Sequence, residues 1–497
     1  MDDPYGVKKG LIFLLYIFLR LIRKEGETVA ATNLSLMHRR LIVGISLSAA
    51  FLSVLTQFLL ITAYPRIMIE FEVNASEVQW LTTGYMLALA VFTPMSAYFI
   101  DKFKTKPLMV GGMSLFLIGT LLGLFSSTFE TLLIGRIIQG MSSGIMMPLM
   151  QTLLFLVFPR EKRGYAMGLA GLVINVAPAV GPPISGVLIN HFEWRSLFYL
   201  TLPIAGILLL LIFLFMRNVT EQRETKIDFL SIFLSTVGFG GILYGFTEIQ
   251  TSGATDISTI IIIIAGGISL GWFALRQVRL SKPILELRVF KVHTFTLVTV
   301  ISILSFSLLI SMESILPMYV QNAQQLSALH AGLVAAPGAL TLALMSLFAG
   351  KLYDKYGGKT IAILGFVLLT ISTISYYFML GLNTSLILTA CLFMLAMAGV
   401  ALINMPIMTA GINALPDSLV AHGTAIINTA RQFGGSIGLT FIISFISSAA
   451  ESETADASHF LHGVTNAYFV AFLFAVTGLL LSLLLKRENS STGQTSE

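Results

Sequence analysis

The chain has 497 residues, 56% of them hydrophobic and only 11% charged, which excludes a single core with a water-facing surface and marks a membrane-embedded helical bundle. The formal net charge of +5 implies no nucleic-acid partner, because the lysines and arginines sit in connections between apolar stretches, where membrane topology accounts for them. Cys391 is the single cysteine, so no intramolecular disulfide is available, and its place inside an apolar stretch suggests packing.

Residues 1–40 read as a cytoplasmic N-terminal segment. Within it Leu11 to Ile22, flanked by Lys8, Lys9, Arg23 and Lys24, is too short to span and suits an interfacial amphipathic helix. Fourteen apolar stretches of membrane-crossing length follow: 41–63, 77–99, 107–127, 131–157, 165–189, 196–216, 229–248, 256–275, 294–317, 328–350, 359–379, 385–409, 424–446 and 465–485. Lysine and arginine gather in the even-to-odd connections, at Lys102 to Lys106, Arg160 to Arg163, Arg217 to Lys226, Arg276 to Lys291 and Lys351 to Lys359. Glu70, Glu72, Glu77, Glu130, Asp256, Glu451, Glu453 and Asp456 occupy the opposite connections, with Arg66 and Arg195 as cationic exceptions. This asymmetry places the basic connections and both termini in the cytoplasm of a cell-membrane protein.

Gly350-Lys351-Leu352-Tyr353-Asp354-Lys355-Tyr356-Gly357-Gly358-Lys359 and the weaker Ala97-Tyr98-Phe99-Ile100-Asp101-Lys102-Phe103-Lys104-Thr105-Lys106 occupy equivalent short loops, after the tenth and second stretches. The duplication points to two halves, and its spacing to two extra helices between them. The expected division is a first six-helix half at 41–216, an inserted pair with basic linker at 217–293, a second six-helix half at 294–485 and a cytoplasmic tail at 486–497. Ile260 to Ile264 in the inserted pair suggests a lipid-facing surface.

Asp101 and Asp354, among lysines at short turns, are candidates to accept from a helix N-terminus and latch one side shut; a solvated loop charge is the alternative. Gly171, Gly181 and Gly186 recur on the fifth stretch with Pro178, Pro182 and Pro183, favouring close helix approach and a bend usable as a gate, with plain packing as the alternative. Four ionisable residues fall inside or near stretch ends: Arg136, Glu248, Glu313 and Arg431. Arg136 shares a face with Gln139 and Gly140 and either serves coupling or snorkels outward. Glu313, four residues before Pro317, is a candidate shielded proton acceptor or a wet outer-end residue. Glu248 is expected at the surface, and Arg431 is a buried counter-charge or lines the pathway. Candidate polar groups for a mostly apolar substrate pocket are Gln57, Tyr85, Gln151, Asn175, Tyr319 and Asn404. No catalytic or nucleotide-binding motif is present, so no enzymatic activity and no cofactor is expected. His459 and His462 lack further ligands, so no metal is assigned.

The two Asp-containing loops resemble the loop signature of the major facilitator superfamily, and fourteen stretches resemble its drug:proton antiporter branch. Leu133 to Gly140 is similar to the superfamily's helix-four arginine motif. Ala177 to Gly186 is similar to its antiporter motif, with Ser185 where a second glycine is usual. Gln79 to Leu87 and Arg431 to Gly435 are similar to the lincomycin-resistance and multidrug subgroup, and the likeness covers about residues 40 to 485. It implies an all-α membrane protein of two six-helix halves plus two inserted helices, acting as a monomer that exchanges protons for small amphiphilic substrates by alternating access. Export of an endogenous lipid or metabolite is the alternative, since Thr56 stands where the branch often has an acidic residue.

Overall fold

Polar caps start the helices where apolar runs begin. Ser35 accepts from the His38 N–H, Asn74 and Glu77 form a capping box, and Thr128 and Asp256 accept from Thr131 and Thr259. The computed structural model describes residues 35–220, 222–223, 228–252, 256–450 and 457–486. The Leu11 to Ile22 stretch, Lys226, Glu451, Glu453, Asp456 and all of the tail after residue 486 lie outside them.

The helices are α1 (Leu36–Leu59), α2 (Tyr64–Phe71), α3 (Ala75–Lys102), α4 (Thr105–Leu124), α5 (Phe129–Val157), α6 (Arg163–His191), α7 (Ser196–Phe215), α8 (Phe229–Ser252), α9 (Ile257–Arg279), α10 (His293–Met318), α11 (Ala328–Met379), α12 (Leu386–Asn413), α13 (Val420–Ala450) and α14 (Ala457–Leu483). Setting aside the eight-residue α2, thirteen long helices stand among the described residues, and twelve candidate spans are long and apolar enough to cross a membrane. The expected count of fourteen is corrected here. The stretches 328–350 and 359–379 join in the 52-residue α11, broken only at Gly357 with φ 76 and ψ 165. The sequence around Asp354 is therefore helix rather than loop.

Helix α6 runs continuously through Pro178, Pro182 and Pro183, and α8 continues past Glu248 to Ser252. Cys391 is exposed rather than packed.

Helix α1 packs on α5, α6 and α7, while α3 and α4 pack on α5, building the first half. In the second, α11 packs on α12 and α14, and α10 on α12 and α13. The halves meet along two seams, α3 with α13 and α6 with α11. The inserted pair does more than face lipid. Ile261 and Ile264 are exposed on α9, but α8 lies against both α3 and α13. There Trp80 stacks on Tyr244 with ring centroids 5.7 Å apart, and Phe239 meets Phe433 at 5.1 Å. One face of the bundle, at the α3–α4, α5–α6 and α7–α8 connections, carries the lysines and arginines; it is called the basic face below, and the other the acidic face.

Candidate functional site

The two aspartates of the duplicated motif bind across the seams at the basic face. Asp354 Oδ1 accepts from the Gly164 N–H and Oδ2 from the Tyr165 N–H, each at 2.8 Å. These are first-turn amides of α6, which have no helical acceptor and sit at the positive end of the helix dipole. The contact requires glycine: a Cβ on Gly164 would strike Asp354 Oδ1, and one on Gly350 would strike the Gly164 carbonyl. Beside it Arg163 donates to Asn413 at 3.1 Å and to Asp417 at 3.0 Å, with Arg160 reaching Asp417 at 3.4 Å. Partial burial raises the Asp417 carboxyl, but Arg163, with Arg160 behind it, brings it below its ordinary value.

Asp101 uses a different partner. It faces the first turn of α13, where His422 Nε2 lies 3.0 Å from Asp101 Oδ2. The His422 Nδ1 accepts from the Glu286 N–H at 3.2 Å, so in the neutral ring Nε2 carries the hydrogen and donates to Asp101. The Asp101 carbonyl in turn accepts from the Arg223 N–H at 2.8 Å. Both connections of the inserted pair are thus tied to this junction.

Toward the membrane centre the halves remain linked by side-chain amides. Asn428 donates to Gln151 at 2.5 Å and Asn175 to Ser346 at 3.0 Å. Gln432 points at Thr93 at 3.5 Å. Counted along their helices at about 1.5 Å per residue, these links lie between the basic face and the midplane.

In the first half, Arg136 is 1% exposed. It donates to the Leu81 and Thr56 carbonyls at 3.3 and 3.2 Å and to Gln139 at 2.9 Å, with its guanidinium 4.5 Å from the Tyr85 ring centre. It does not snorkel. The Thr56 hydroxyl turns back onto the Leu52 carbonyl at 2.7 Å, so a main-chain oxygen meets the arginine where a carboxylate is common in the resembling branch. Ser185, in place of the usual glycine, donates to the Leu59 carbonyl at 2.6 Å and also bonds Thr62, tying α6 to α1.

In the second half, Glu313 lies one turn before Pro317 on α10, which passes into a π-helical turn at Tyr319–Ala323. The Glu313 side chain is exposed, on the side of α10 that carries Phe306 and Ile310, where Gly435 of α13 packs. Arg431, 7% exposed, stacks 4.8 Å from the centre of the Phe306 ring.

The other expected site residues separate into accessible and sealed. Gln57 and Asn175 are partly accessible and Pro182 is exposed. Tyr85 is fully buried, its hydroxyl donating to the Ser53 carbonyl at 2.9 Å and pairing with Ser143 at 2.6 Å. Tyr319 is likewise buried, donating to the Gly381 carbonyl at 2.7 Å. Gln151 and Asn404 are 2% and 6% exposed, and Asn404 accepts from Ser305 at 3.0 Å. These four hold helices together and do not line open space. A Cβ on Gly181 would touch Phe58, whereas one on Gly186 would meet nothing within 4 Å, so Gly186 is not a close-approach position. His422, Arg163, Asp417, Ser346 and Asn428 were not singled out from sequence; each is one ordinary polar residue whose partner is distant in the chain.

The profile of the Major Facilitator Superfamily matches residues 46–439. The chain is 46% identical over 452 residues to the uncharacterized MFS-type transporter YcnB of Bacillus subtilis, covering 90% of this chain and 96% of that one. It is 37% identical over 457 residues to the lincomycin resistance protein LmrB of Listeria monocytogenes, covering 90% and 96%. Among solved structures, the human organic anion transporter MFSD10 superposes with a TM-score of 0.63 at 14% identity, over 89% of this chain and 99% of that one, a likeness of fold.

Proposed function

The chain belongs to the Major Facilitator Superfamily, and from that premise we propose that it is a proton-coupled exporter of lipophilic and amphipathic drugs in the cell membrane. The relatives named for lincomycin and multidrug resistance favour drugs as cargo. In this reading the basic face is cytoplasmic, as the distribution of lysine and arginine suggests. Helix α11, 52 residues and so about 78 Å if straight, crosses twice with its reversal at Gly357.

One observation carries the reading: polar links join the halves from the basic face to the midplane, while Glu313, on the acidic side of them, keeps an exposed carboxylate on the α13-facing side of α10. That is the arrangement of an exporter closed inward and open outward, where a carboxylate can take a proton from outside as substrate leaves. Glu313 is assigned as proton carrier. Arg136, fixed by its three acceptors and buried beside α3 and α1, couples the bending of the first half to that event.

The test is proton movement in proteoliposomes loaded with a pH-sensitive dye and challenged with cationic, zwitterionic and neutral drugs. A drug-dependent flux that Glu313→Gln reduces to background is expected. Flux unchanged in Glu313→Gln overturns the carrier assignment. Absence of flux with every drug turns the reading toward an endogenous lipid or metabolite, which the uncharged Thr56 position favours.

A further inference from the structure

Two buried arginines lie within the helices of the two halves, Arg136 toward the acidic face and Arg431 nearer the basic one, and their partners differ. Arg136 donates to two carbonyls and an amide oxygen. Arg431 stacks on the Phe306 ring and, among the described residues, has no hydrogen-bond acceptor or carboxylate. It lies eleven residues into α13, about 16 Å from the basic-face end and close to mid-membrane. A guanidinium at that depth without an acceptor is costly unless something else satisfies it.

Its nitrogens are also reachable. The arginine nitrogens that are sealed without a partner include one on Arg136 and one on Arg163, and none on Arg431. The 7% of Arg431 that remains exposed therefore includes its donors. Phe306, over which it stacks, is partly accessible, as is Ile310 one turn on, and Glu313 follows on the same face of α10. Seven residues separate Phe306 from Glu313, which sets the guanidinium and the carboxylate about 10 Å apart along the helix. Between them runs an apolar strip of one aromatic and one aliphatic side chain. Gly434 and Gly435 of α13 sit on Ile303, Phe306 and Ile310, yet Phe306 and Ile310 keep part of their surface accessible beside that contact, and it is this uncovered part that forms the strip.

We propose that this strip is a substrate site for zwitterionic amphiphiles, with the substrate's carboxylate on Arg431, its aromatic or aliphatic body on Phe306 and Ile310, and its ammonium on Glu313. A guanidinium offers forked donors that suit a carboxylate better than any other common anion-binding side chain. Stacking on Phe306 leaves that fork in place while supplying apolar contact to the ligand. An uncharged substrate leaves both ions desolvated and unpaired, and a simple cation leaves the arginine so, which sets the order of preference. The inference rests on the proposed function only in treating this space as the substrate's route; it requires neither proton coupling nor export.

Equilibrium binding to the purified protein in lipid nanodiscs tests it, using a rigid biphenyl with an aminomethyl group at one end and a carboxylate at the other. Its methyl ester, its N-acetyl derivative and the doubly blocked form remove each charge in turn. The wild type is expected to bind the zwitterion at least tenfold tighter than the ester and the doubly blocked form. Arg431→Gln is expected to erase the zwitterion's advantage over the ester, and Glu313→Gln its advantage over the N-acetyl form. Arg431→Lys is expected to retain part of the preference. Equal binding of all four forms by the wild type, no binding of the zwitterion, or an unchanged order in Arg431→Gln overturns the proposal. A variant that loses its native elution profile is set aside, and the wild-type order alone then decides. Because this is a binding order, it stands or falls independently of the proton-flux result.

Discussion

A methyl group has no room at Gly350, where a Cβ would collide with the Gly164 carbonyl and crowd Gly168. The Asp354 carboxylate reaches the α6 amides only because both backbones come this close. Gly350→Ala is accordingly expected to hold the basic face apart, seen as a longer spin-label distance between the starts of α6 and α12's last turn. Asp354→Asn keeps one acceptor but removes the charge from the helix N-terminus, an interaction worth up to about 2 kcal/mol in a partly buried setting. It should shift the same distance distribution toward the open population by several-fold, less than the alanine wedge. Asp417 gives a pH dependence with a definite sign. Its carboxyl is depressed by Arg163 and Arg160, so its contribution to closure is fully present above the ordinary aspartate value and is lost as pH falls through the lowered one. Closure measured by the same labels should be flat from neutral pH down to about 4 and weaken below that. Asp101, Asp354 and the buried Arg136 were legible in the sequence because a charge repeated at equivalent places, or stranded in an apolar run, is conspicuous. His422 and Asp417 were not, since a residue near a helix end looks solvated until the opposing half is in place.

At the scale of the element, apolar runs of membrane-crossing length marked most helix positions within a few residues, and the one clear misreading has a backbone cause. Glycine and charge around Asp354 suggested a loop, yet helical φ and ψ persist on both sides of Gly357, whose φ of 76 and ψ of 165 absorb the whole departure. That backbone region is essentially closed to residues with a Cβ. Gly357→Ala is expected to lower stability by about 1–3 kcal/mol, read as a lower unfolding midpoint in detergent. A Gly357→Ala protein as stable as wild type would show that the reversal can relax elsewhere. The three prolines of α6 interrupt its backbone bonds without ending the helix, as an apolar bundle allows when neighbours pack around it. The inserted pair read as lipid-facing filler because its isoleucine run dominates the pattern. The aromatic contacts of Phe239 and Tyr244 on α8 carry no period of their own and surfaced only in three dimensions.

For the molecule as a whole, one duplicated motif suggested a two-halved plan, whereas the contacts between the helix groups could not be read, because every link across the seams joins residues far apart in sequence. The structure is held together on its basic side by Asp354, Asp101, Arg163 and Asn428. The seams themselves are unequal. At the α3–α13 seam a bilayer-dissolved molecule meets α8 and, behind it, α9. At the α6–α11 seam, among the described residues, it meets the two helices directly, with Pro182, Pro183 and Val187 of α6 exposed. The α3–α13 seam is therefore screened from lipid by a further helix, whereas the α6–α11 seam relies on its own close packing, where Gly164 and Gly168 leave no room for a Cβ against Gly350 and Ser346.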